Sequence, residues 1–205
     1  MNMFDSVVIA CEQTTLDIAM AIRSSLELFR LNAYLHFCVQ RKNVIDFLAG
    51  KIPDAEYVVL CCRGNHAGES GWIAPGEDQL GMNFGVADQV NGEWKPAPLF
   101  LRPDNIAEYV RLPGRTVISN GCNTGHEPLA KAFLAAGCKG YIGAVGSVDQ
   151  DSTALFTIAF FYHLLCHERD SSLRCSDEQA AERAASLDRE SKEGTKVFRY
   201  YGTED

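Results

Sequence analysis

Two segments of this chain are equipped for chemistry: Asn120-Gly121-Cys122-Asn123-Thr124-Gly125, and Arg63-Gly64-Asn65-His66-Ala67-Gly68. A cysteine becomes a nucleophile when a base or a cation favours its thiolate, and acyl transfer also needs N–H donors for the oxyanion of the tetrahedral intermediate. Cys122 stands in a Gly-flanked turn before a helix start, where backbone N–H groups and the helix dipole favour negative charge. The amides of Gly121 and Cys122 are the candidate oxyanion donors, and His66 is the candidate acid–base partner. On spacing alone a second reading stays open, with Cys122 one buried thiol among eight and His66 a solvated loop histidine.

Other polar groups carry weaker patterns. Asp149 and Asp151 follow an apolar run and are placed to meet a basic substrate residue, although Asp151-Ser152-Thr153 also reads as a helix cap. His126 falls at a helix opening, where it caps or faces solvent. His163 and His167 have the i, i+4 spacing of metal ligands but lack a neighbouring carboxylate–His pattern, so no metal and no cofactor is expected. The run from Gly121 to Gly125 precedes a helix and could cradle an anion in a flavodoxin-like fold. It has neither the Gly-x-Gly-x-x-Gly fingerprint nor a P-loop lysine. Six residues past Cys122 stands Pro128, where a cysteine phosphatase needs arginine.

These loops meet only if they share one edge of a sheet, and the remaining sequence supplies such a sheet. Short apolar runs at 6–10, 33–39, 57–62, 115–119 and 138–145 read as strands. Between and after them, helical text covers 14–31, 43–49, 103–111, 127–136, 151–167 and 177–187. Thr14 caps the first helix, Gly50 closes the second, and Pro128 and Gly137 bracket the fourth. Alternating strands and helices imply an α/β fold with a mostly parallel sheet between helical layers, one domain over 1–205. In such sheets, ligands and catalytic groups gather at the carboxyl ends of the strands. Residues 63–95 break the alternation with Gly-rich polar text. Met82-Asn83-Phe84-Gly85-Val86 and Glu93-Trp94-Lys95 flank the Asn91-Gly92 turn, predicting a β-hairpin within an insertion that borders the site and is anchored by Trp72 and Trp94.

Composition narrows the function classes. Hydrophobic residues at 46 % and charged residues at 22 % are ordinary for a globular chain. A net charge of −8 leaves no basic footprint for nucleic acid. The start, Met1-Asn2-Met3-Phe4-Asp5, lacks the basic and apolar regions of a signal peptide, and the apolar run at 154–166 is too short to span a bilayer. The eight cysteines sit mostly inside apolar runs, as buried free thiols do in a reducing compartment. A cytoplasmic location, no membrane partner and a protein or peptide substrate are expected; the oligomeric state is left open.

The segment Val117-Ile118-Ser119-Asn120-Gly121-Cys122-Asn123-Thr124-Gly125 resembles the motif of CHAT-domain cysteine peptidases, members of the caspase-like fold, in which a strand ending in Leu-Ser-Ala precedes the catalytic Cys and an acidic-Thr-Gly triplet. Leu129 through Gly137 is similar to the family's next helix, Val148-Asp149-Gln150-Asp151 to its Val-Asp-Asp turn, and Phe160-Phe161-Tyr162-His163-Leu164-Leu165 to its Phe-Tyr-x-x-Leu helix. Residues 116–165 thus match in order and spacing. The N-terminal half matches only in the order of its elements. The resemblance implies a Cys–His endopeptidase and, with the right-handed crossover rule, a strand order 2-1-3-4 for the first four strands. It also exposes a departure: Arg63-Gly64 stands where the family ends its third strand in His-Gly. An arginine cannot act as a base, although it can stabilise a thiolate. The chain is therefore either a peptidase that uses His66 or a catalytically silent interaction module.

Overall fold

The computed structural model describes residues 6–64, 81–165, 175–187 and 197–202. Its centre is a six-stranded sheet of β1 (Ser6–Cys11), β2 (Asn32–Phe37), β3 (Tyr57–Cys61), β9 (Thr116–Ser119), β10 (Gly140–Ala144) and β11 (Phe198–Gly202). The order is β2-β1-β3-β9-β10-β11, parallel throughout except for β11. The first four strands of this sheet in sequence thus lie 2-1-3-4, as expected, with β9 as the fourth, and β3 and β9 are neighbours.

Side chains alternate between the two faces of each strand. Val7, Ile9 and Cys11 on β1, with Tyr57, Val59 and Cys61 on β3, pack against α1 (Leu16–Leu28), α5 (Gln150–Leu165) and α6 (Asp177–Ala185). Val8, Ala10, Val58, Leu60 and Cys62 point the other way, against α2 (Arg41–Leu48), the short α3 (Ile106–Tyr109) and α4 (Glu127–Ala135). The result is a three-layer α/β arrangement with a core on each side of the sheet. The adjacent Cys61 and Cys62 belong to opposite cores, which is why they look like a pair only in the sequence.

Three local expectations need correction. The Asn91-Gly92 turn does join a hairpin, with φ of 53° and 84° in the left-handed region that such turns require. Its arms, however, are β6 (Ala87–Val90) and β7 (Glu93–Pro96). Met82–Phe84 is β5, which pairs instead with β4 (Arg63–Gly64) and β8 (Leu99–Leu101) in a separate three-stranded sheet, because Met82, Phe84, Leu99 and Leu101 bury together against α2 and α3. Residues 103–111 contain only the four-residue α3, since Val110 and Leu112 leave the helix to fill the core. The first helix is capped by Glu12, not Thr14: the Glu12 carboxylate accepts the Thr14 N–H at 3.1 Å, and the Glu12 N–H donates to the Thr15 hydroxyl at 3.1 Å, opening a 3-10 turn over Gln13–Thr15.

No anchoring role falls to Trp94, which is 56 % exposed on the hairpin, and Trp72 lies outside the described residues. The C-terminal β11 has no clear period in the sequence. It is held by the stacked rings of Phe156 and Phe198, 3.9 Å apart, and by the Tyr201 hydroxyl donating to Gly125 O at 2.7 Å. Among the described residues, no helix is long and apolar enough to cross a membrane.

Candidate functional site around Cys122

The turn after β9 is built so that Cys122 stands at the carboxyl edge of the sheet. Asn120, almost fully buried, continues the strand by donating its N–H to Leu60 O at 3.0 Å. Its side chain accepts a hydrogen bond from Thr157 of α5 at 2.9 Å and donates to the Cys61 sulfur at 3.8 Å, clamping the turn between sheet and helix. Thr124 closes it with a hydroxyl bond to Gly121 O at 2.7 Å. Asn123 at φ 55° takes the reversal, and its N–H donates to Gly146 O at 2.8 Å.

β4 runs directly over this turn. A Cβ on Gly64 would coincide with the Cys122 carbonyl, and a Cβ on Gly121 would stand 2.9 Å from the Gly64 nitrogen. Only two glycines allow the two backbones to approach this closely. Arg63 and Gly64 are therefore brought against Cys122, as the neighbouring strands require. The Arg63 side chain is exposed and turns toward the 3-10 turn after β1, where its Nε donates to the Thr14 hydroxyl at 3.3 Å; that hydroxyl in turn donates to the buried Glu12 carboxylate.

The Cys122 sulfur faces the connection between β10 and α5. Val148 donates its N–H to the sulfur at 3.5 Å and accepts the thiol hydrogen at 3.4 Å. Asp149 and Asp151 follow on the same edge, both exposed. Asp151 lies in the first turn of α5, which begins at Gln150, so it is not the cap its sequence suggested. His126 is the N-cap residue of α4 but makes no side-chain cap bond. His66 and His167 lie outside the described residues. Among the described residues, no group of three or more His, Cys, Asp or Glu could hold a metal ion.

Cys122 differs from the other described thiols. All seven are free, and six of them are buried. Burial pushes Cys11 up to about 11, and Cys38, Cys62 and Cys138 to about 12; Cys61 is raised further still. The nearby Glu12 adds to the rise at Cys11, Cys38 and Cys62. At pH 7 a thiol with a pKa near 11 is thiolate in only about one molecule in 10⁴. Limited alkylation with peptide mapping is therefore expected to mark Cys122 at least about 100-fold faster than these five. First labelling of Cys61 or Cys138 would contradict that ranking, and first labelling of the buried Cys175 would contradict Cys122 as the most reactive thiol.

The contacts that Glu12, Thr14, Asn120 and Val148 make around the site were not foreseen from the sequence. Only Glu12 left a trace there, as an acidic residue closing an apolar strand three positions before a threonine. The chain matches no protein-family model and no curated protein, which leaves the groups around Cys122 as the ground for assigning its chemistry.

Proposed function

We propose that the protein is a cysteine endopeptidase of the caspase-like type, with Cys122 as nucleophile and His66 as general acid–base. The observation that carries this reading is the placement of the one incompletely buried thiol among the described cysteines, at the carboxyl edge of a parallel sheet beside the end of the neighbouring strand. His66 follows Gly64 by two residues in the sequence, and Gly64 is packed against Cys122. The Cys122 thiolate attacks the peptide carbonyl, and His66 protonates the departing amine. Water activated by neutral His66 then hydrolyses the thioester and frees the thiol. The oxyanion falls to amides around Gly121 and Cys122. Asp149 and Asp151 favour a basic residue in the substrate.

The second reading, a catalytically silent interaction module on the same fold, is favoured by the Arg63 side chain. It occupies the position of the expected histidine and is tied to Thr14. Assays against basic, acidic and apolar peptide libraries separate the two. For the peptidase, Cys122→Ala and His66→Ala each lower cleavage by at least about 10³-fold, while Arg63→Ala keeps most of it. A silent parent that gains activity on Arg63→His is a pseudoenzyme with the rest of its machinery intact. Silence in all of these proteins defeats the peptidase.

A further inference from the structure

The loop between β10 and α5 uses both main-chain polar groups of one residue on the Cys122 sulfur: the N–H of Val148 at 3.5 Å and its carbonyl at 3.4 Å. A thiol so held has its acceptor and its donor occupied. A scissile carbonyl must come within about 3–3.5 Å of the attacking sulfur, and the Val148 main chain fills part of that shell. The geometry points to residues 146–148 as an autoinhibitory clasp, a segment that occupies Cys122 until a peptide group displaces it. The inference rests on Cys122 being the reactive group of the site.

The clasp has an anchor and a hinge. Its anchors are the Asn123 N–H on Gly146 O at 2.8 Å and the Val145 N–H on Val197 O at 2.6 Å, while Val148 packs into the core beneath α5. Its hinge is Gly146, at φ 131°, a conformation open to glycine and strained for other residues. Sulfur is a weak donor and a weak acceptor, so a ligand's peptide N–H and C=O can replace both contacts on the loop without a large penalty.

Gly146 also provides the test. No atom lies within 4 Å of the place a Cβ would take, so Gly146→Ala adds backbone strain to the clasped state and no collision. The variant is expected to be alkylated at Cys122 by iodoacetamide about tenfold faster than the parent at the same pH. An equal or slower rate overturns the clasp. Amide exchange in the parent protein decides the matter should the variant fail to fold. Carboxamidomethylation of Cys122 should displace the loop and lower the protection of the Asn123 amide at least about tenfold. Unchanged protection in the fully alkylated protein overturns the proposal. Neither measurement needs turnover: both effects in a protein that cleaves no peptide would keep the clasp, as the gate of a binding site, and discard the peptidase.

Discussion

Replacing Gly64 with alanine is expected to disrupt the Cys122 turn and destabilise the fold by at least about 3 kcal/mol. The added methyl group would occupy the position of the Cys122 carbonyl, with the Cys122 nitrogen 2.8 Å away. These are main-chain atoms flanked by strand hydrogen bonds, with no rotamer to change, so relief requires β4 to lift off the turn. That movement would separate Arg63 and the residues following it from the thiol. Gly92→Ala is the control. It sits at φ 84° with open space around it, so it carries only the left-handed backbone penalty, about 1 kcal/mol. Urea midpoints for the two variants separate collision from strain. Equal losses would mean that β4 does not cross Cys122 in solution.

Above pH 9 the protein is expected to lose stability steeply. The ordinary thiol value is 9.0, and burial raises Cys11 to about 11 and Cys38, Cys62 and Cys138 to about 12. A group whose value is raised by folding stabilises the native state fully below its unfolded value. That contribution is lost as the pH climbs through the folded value, because the unfolded chain releases its protons first. The window therefore opens near pH 9 and extends to about 11 for Cys11 and about 12 for the others. Each thiol acting alone removes about 1.4 kcal/mol per pH unit there, and four together about 5, comparable with the whole stability of a domain of this size. Urea midpoints should fall sharply between pH 9 and 10.5. Cys138→Ala should reduce the slope of stability against pH, whatever its effect on stability at pH 7. A midpoint that stays flat to pH 11 would show that these thiols are not buried as described.

The site was legible in part, and the division follows the range of the interactions. Cys122 could be singled out because a Gly-flanked turn between an apolar strand and a helix is local text, and the structure puts that turn at the carboxyl edge of the sheet. Arg63-Gly64 could be placed beside it because β3 and β9 are neighbours once the crossovers are right-handed. Where the Arg63 side chain goes could not be read. Its bond to Thr14 spans 49 residues, and nothing in the local sequence selects that partner. The Val148 contact with Cys122 spans 26 residues and uses main-chain atoms, which carry no residue-type signal at all.

By itself the sequence determined the alternation of strands and helices, the two-faced burial of runs such as residues 57–62, and the turn at Asn91-Gly92. Each depends on side-chain period or on the backbone preferences of one or two residues. Tertiary structure decided what those elements pair with. Met82–Phe84 joined Leu99–Leu101 rather than the hairpin, Phe198–Gly202 closed the sheet as its antiparallel edge, and Cys61 and Cys62 parted to opposite cores. Strand partners of similar apolar text compete on nearly equal local terms, and only burial of whole faces across the sheet separates them.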